Sequence, residues 1–172
     1  MAVVGGDLDN YVVRYNVVSE AAVRDSGLQW TVLRPSGFMS NALAWAEQLG
    51  RSDVVQEPFA AVPVAVLALT ADGHAGRSYR LTGPQALTPA DRLQVLGEVL
   101  GRRLRLDTEP DAAARSRMAA TMPPDVVEAF FRFVVAGEYD DSRVTPTVAD
   151  LLDRAPRTFA DWARAHTAAF PR

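Results

Sequence analysis

Residues 11–34 constrain the fold more than any other stretch of the chain. After Tyr11, apolar residues recur at Val13, Val17 and Ala21, with Val18 and Ala22 beside them, which is helical spacing. Gly27 stands where a helix ends in a glycine cap. Residues 30–34, WTVLR, then make a short, nearly continuous apolar run rich in strand formers, as a buried parallel strand does. A helix, a glycine turn and a buried strand in succession form an α/β unit.

The remaining segments extend that pattern. Pro35, Ser36 and Gly37 end the strand, and residues 38–49 read as a helix carrying Phe38, Ala42 and Trp45 or Leu49 on one side. Residues 51–57 read as a loop or short strand, and 60–69 fit either a strand or a helix. Residues 78–82 alternate as a strand does. Thr88 and Pro89 open a helix as N-cap and first helical residue, and Gly101 closes it. Residues 104–108 read as another strand. Helices follow over 111–121, 125–136, 147–153 and 158–169, the last with Thr158 as its cap. The expected architecture is α/β: an incomplete Rossmann-like parallel sheet of roughly three or four strands over residues 1–110. A helical C-terminal subdomain covers 111–172, the whole forming one compact domain.

Composition removes several function classes. The 172 residues contain no cysteine, so disulfides, thiolate catalysis and zinc–thiolate sites are excluded. All 18 basic residues are arginine, which excludes a lysine Schiff base and a phosphate-loop lysine. Net charge is −3 with Arg interleaved among Asp and Glu, so no basic face for nucleic acid is expected. The start lacks a basic, apolar leader, and the run 59–69 is too short to span a bilayer. A cytoplasmic protein without a membrane partner is therefore expected.

Several motifs, taken in order, resemble one family. They are Ser19–Glu20, then SGL at 26–28, then WTVLRPSGFMSNAL at 30–43. TADGHAG at 70–76, YRLTGP at 79–84, LTP at 87–89 and RTFADW at 157–162 follow. This series resembles the NmrA-like branch of the atypical short-chain dehydrogenases, over about residues 11–170. The resemblance implies a doubly wound sheet with NAD(P) lying across the carboxyl ends of its strands and its pyrophosphate on a first Gly-rich turn. It also implies reductases of small organic acceptors, or sensors that bind the dinucleotide without turnover.

Two departures qualify that implication. The family's Gly-rich turn and first strands should precede Tyr11, where only ten residues stand, and Val3–Gly6 does not supply the spacing. The chain thus reads as the carboxyl-terminal, truncated part of such a protein, with no loop to cradle a pyrophosphate. Around 59–69 about a dozen residues of a strand-plus-helix segment are missing. The family's catalytic Tyr and Lys positions fall on Val12 and Asn16, with Tyr11 and Tyr15 adjacent, so no catalytic residue is assigned.

By resemblance, Pro35, Ser36, Gly37 and Phe38 lie where the backbone passes the nicotinamide, and Met39, Asn41 and Trp45 line the substrate side. Phe130, Phe131 and Phe133 are further candidates for an apolar pocket, with core packing as the competing reading. His74 and His166 read as solvated, and Glu138, Asp140 and Asp141 as an exposed acidic loop without calcium-loop spacing, so no metal is expected. Two functions remain open. One is an NAD(P)H-dependent oxidoreductase, weak or inactive alone. The other is a non-catalytic remnant or subunit that pairs through an open sheet edge, as a homodimer or with a complementing chain.

Overall fold

The computed structural model describes residues 8–57, 73–138 and 142–171. Helix α1 (Tyr11–Asp25) starts at Asn10, whose side chain accepts from the Val12 amide at 3.0 Å. Gly27 follows it with φ of 74°, a left-handed conformation open to glycine at no steric cost. Strand β1 (Thr31–Pro35) pairs in parallel with β3 (Arg77–Leu81), Leu33 lying opposite Tyr79. Strand β2 (Val54–Glu57) pairs in parallel with β4 (Arg105–Thr108). Among the described residues, the strands form two parallel pairs, β1–β3 and β2–β4.

The two pairs pack against different parts of the core. The largest cluster joins Ala42, Trp45 and Leu49 to Val55 of β2, to Leu93 and Leu96 of α3 (Pro89–Leu100), and to Phe159 and Trp162 of α7 (Phe159–Ala165). The β2–β4 pair is held there, against α3. The β1–β3 pair instead packs Leu81 on Val148 of α6 (Thr147–Leu152). Two more clusters place Val13 of α1 against Phe133, and Ala114 and Met118 of α4 (Asp111–Ala119) against Val127 and Phe131 of α5 (Pro124–Val134). The later helices therefore each return to an element of the α/β region or to each other.

Residues 38–49 depart from a regular α-helix. Met39–Trp45 is a 3-10 helix, and only Ala46–Leu49, α2, is α-helical. In a 3-10 helix side chains three apart share one face. Met39, Ala42 and Trp45 are spaced by three, so the tighter winding turns all of them toward the core. The ambiguous stretch 60–69, the motif residues 70–72 and the glycines before Asp7 lie outside the described residues.

Helix α3 shows how the sequence sets a boundary. Thr88 and Asp91 form a reciprocal capping box, Pro89 occupies the first turn, and Gly101 ends the helix with φ of 66°. Within it, Gly97 admits the returning chain: a Cβ there would lie 2.7 Å from the carbonyl oxygen of Arg102. Gly97→Ala should gain about 1 kcal/mol of helix propensity. It should lose about 1–3 kcal/mol to the backbone clash. Net destabilisation in a urea titration is expected, and a raised midpoint would refute the close approach.

Candidate functional site

In open α/β sheets a ligand crevice lies beyond the carboxyl ends of the strands. Here those ends are Pro35 of β1 and Leu81 of β3. Ser36 follows directly and is buried. Its backbone N–H donates to the Leu81 carbonyl at 3.1 Å, and its hydroxyl donates to the same carbonyl at 3.2 Å. Both of its protons therefore fasten the two strand ends together. Gly37 is buried beside it, and Phe38 is half-buried in an extended conformation before the 3-10 helix.

The expected substrate-side residues divide into three environments. Trp45 is enclosed in the largest core cluster, with the Arg92 guanidinium 5.7 Å from its ring centre. Asn41 is exposed, its amide closing the first 3-10 turn onto Phe38 at 3.0 Å. Met39 lines a cavity of about 20 Å³ with Gly83, Pro84, Leu87, Arg92 and Phe159. That space suits a single water molecule. A wider open groove of about 690 Å³ runs between α3 and β4 and takes none of its lining from residues 35–45. Phe131 and Phe133 are core residues, and Phe131 carries the Arg115 guanidinium 3.9 Å from its ring centre.

The other edge of the site is held by hydroxyl contacts. Thr82, buried after β3, accepts from the Thr145 amide at 2.9 Å, and the Thr145 hydroxyl donates to the Arg80 carbonyl at 3.2 Å. Residue 145 thereby satisfies the side of β3 that faces away from β1. Nothing in the local sequence links residues 63 positions apart, so this contact was illegible before the fold.

Glu20 and Arg34 form the principal ion pair near β1. Arg34 Nε donates to Glu20 Oε1 at 2.8 Å and Nη2 to Oε2 at 2.5 Å, a bidentate arrangement. Arg24 adds a second contact at 2.8 Å. The bonded Arg34 guanidinium holds the Glu20 carboxyl below its ordinary pKa of 4.5, and Glu20 raises that of Arg34 in return. The pair ties α1 to the strand beneath it.

Both histidines have specific partners, correcting the solvated reading. His74 Nδ1 lies 2.8 Å from the Tyr79 hydroxyl. His166 stacks on Trp162 at 4.5 Å between ring centres, with Nδ1 2.8 Å from the Trp162 carbonyl oxygen. Both are half-buried: His166 lies flat on the Trp162 ring, whereas His74 meets the Tyr79 ring edge-on at 5.6 Å between centres. Glu138 is engaged by Arg132 at 2.6 Å and by the Asn10 amide at 3.1 Å; Asp140 and Asp141 lie outside the described residues. Tyr11 and Tyr15 stack on each other at 6.5 Å on the exposed side of α1, and the Asn16 amide donates to the Val12 carbonyl at 2.7 Å.

Comparison with known proteins gives this geometry a context. No family model matches the chain. The (4-alkanoyl-5-oxo-2,5-dihydrofuran-3-yl)methyl phosphate reductase of Streptomyces griseus is 39% identical over 182 residues, covering 99% of this chain and 64% of the reductase. The NAD(P)H azoreductase of Xenophilus azovorans is 32% identical, covering 88% of this chain and 58% of its own length. Among solved structures, an NADPH-dependent quinone oxidoreductase of Escherichia coli superposes with a TM-score of 0.69 at 20% identity, over 93% of this chain and 62% of that one. The chain has the Rossmann-like α/β fold of these reductases.

The chain spans less than two thirds of the length of each of these proteins. The Streptomyces griseus alignment is also longer than the 172 residues of this chain, so that relative carries residues within the span that this chain lacks. Among the described residues, no helix is long and apolar enough to cross a membrane.

Proposed function

We propose that the chain forms the nicotinamide- and substrate-side part of an NAD(P)H-dependent reductase of NmrA-like type that acts on a small organic acceptor. The observation that carries this reading is the 39% identity to a reductase over nearly the whole chain. The geometry agrees with it: the motif at 35–38 sits at the carboxyl ends of a parallel pair, where doubly wound folds bind ligands.

The residues present suit one end of the dinucleotide only. Ser36 and Gly37 are buried at the carboxyl end of β1, the position at which doubly wound folds bind a ligand. Among the described residues, no Gly-rich turn leads from a strand into a helix N-terminus, so no amide cradle faces a pyrophosphate. When bound, NAD(P)H supplies the hydride. The chain's own contribution is position: Ser36 locks the strand ends, and Met39 and Trp45 anchor the following 3-10 helix on the core. No proton donor to the acceptor is assigned.

Isothermal titration with NADPH tests this reading. Saturable binding with Kd on the order of 0.1–1 mM is expected, about 4–5.5 kcal/mol. No heat of binding at millimolar cofactor would sink it. Among the described residues no strand pairs with the side of β1 away from β3, which supports a second reading, a non-catalytic subunit that works by pairing with a partner.

A further inference from the structure

Helix α3 carries one residue that its packing alone does not call for. Its inward face holds Pro89, Leu93, Leu96 and Gly97, and Arg92 lies among them, 6% exposed. Helical spacing places aliphatic residues on such a face. Arginine is almost never fully buried, because its charge loses water there. Trp45 takes one side of the guanidinium, its ring centre 5.7 Å away, which offsets part of that loss. A guanidinium carries five N–H donors, more than a single partner uses, so a cation in this place can serve a ligand beside its structural contacts.

The cavity beside Arg92 stands where a ligand is expected. Met39 comes from the segment that leaves β1, and Gly83 and Pro84 from the segment that leaves β3. Both walls therefore lie just past the carboxyl ends of the strand pair. Leu87 and Phe159 add apolar wall, which strengthens a charge–charge contact inside. Pro84 and Gln85 are exposed, so the cavity reaches the surface. Its volume of about 20 Å³ takes one water-sized atom. Carboxylate and phosphate heads carry more than one oxygen, whereas this space admits a single one. The single-oxygen anions that form near neutral pH are phenolates and enolates, whose charge is spread over a conjugated framework.

We propose that Arg92 and this cavity form a subsite for one anionic oxygen of the acceptor, so that the ligand class is a phenol or enol bound as its anion. Arg92 supplies the charge, and the cavity sets the size of the group that reaches it. Placing this subsite within the acceptor site rests on the reductase reading; the binding of the anion itself does not.

4-Nitrophenol is the probe, since its phenolate absorbs visible light and its phenol does not. Titrated with the chain, it should bind saturably, with half-saturation on the order of 1 mM. The nearby cation should raise the acid dissociation constant of the bound probe roughly tenfold or more. Arg92→Met should abolish that rise, and Arg92→Lys, which keeps a charge, should retain part of it. Leu87→Phe fills the cavity with Arg92 still in place and should abolish binding; it decides the matter if Arg92→Met fails to fold by circular dichroism. Inorganic phosphate at the same concentration should not compete. Three results overturn the proposal: no saturable phenolate signal, a signal unchanged in folded Arg92→Met or in Leu87→Phe, or competition by phosphate as strong as that of the phenolate. NADPH titration is read separately. Phenolate binding without NADPH binding leaves the subsite intact and sinks the reductase reading, whereas NADPH binding without phenolate binding does the reverse.

Discussion

Trp45→Ala should lower stability by about 3–5 kcal/mol, the usual cost of deleting a fully buried aromatic side chain. The tryptophan is 2% exposed and belongs to a cluster of ten buried residues that joins the 3-10 helix, β2, α3 and α7. Removing it would also take away the ring beneath the Arg92 guanidinium. For a domain of this size the melting temperature should fall by about 6–20 °C. Against a total stability of about 5–15 kcal/mol, the variant stands near the limit of folding. Trp45→Phe should recover most of the loss. Asn41→Ala, on the exposed side of the same helix, should change stability by no more than about 0.5 kcal/mol. Calorimetry decides the matter. A Trp45→Ala melting point within two degrees or so of the parent would mean that the ring lines an open pocket rather than the core.

That contrast shows what sequence could and could not say about the site. Trp45 and Asn41 lie four apart, and a regular α-helix would have turned them toward one side. The 3-10 winding of Met39–Trp45 separates them, because side chains then align every three residues. No local signal marks the change of winding; it follows from packing Met39, Ala42 and Trp45 on one core face. Elements governed by local chemistry were legible. Thr88, Pro89 and Gly101 mark the limits of α3, and the apolar run ending at Pro35 marks β1. Which helix covers which described strand pair was not legible, since α3 and α6 pack on β2–β4 and β1–β3 through contacts distant in sequence. The same holds for Ser36. The sequence placed it at the strand end, but the fold shows that its hydroxyl and amide both close on Leu81.

The Glu20–Arg34 pair carries the second large expectation. Glu20 is 12% and Arg34 20% exposed at the side chain, so the pair is shielded enough for its loss to be felt. Glu20→Ala should cost about 1.5–3 kcal/mol near neutral pH, the range for hydrogen bonds to charged groups. It also leaves the Arg34 guanidinium half-buried without its bidentate acceptor. The pH dependence follows from the direction of the shift. The folded carboxyl titrates below 4.5 because Arg34 donates to its ionised form. A depressed folded pKa contributes stability that is full above the unfolded pKa and lost as pH falls through the folded one. The stability gap between parent and Glu20→Ala should therefore stay level above about pH 5.5 and close progressively below about pH 4.5. Arg34 stays charged across that window and adds no slope. Urea midpoints across pH 3–7 check this, and a double-mutant cycle with Arg34→Ala isolates the pair. A gap that persists unchanged at the acid end would show that Glu20 acts by packing rather than by charge. Because the pair fastens α1 to β1, the loss should also speed exchange at the Leu33 amide.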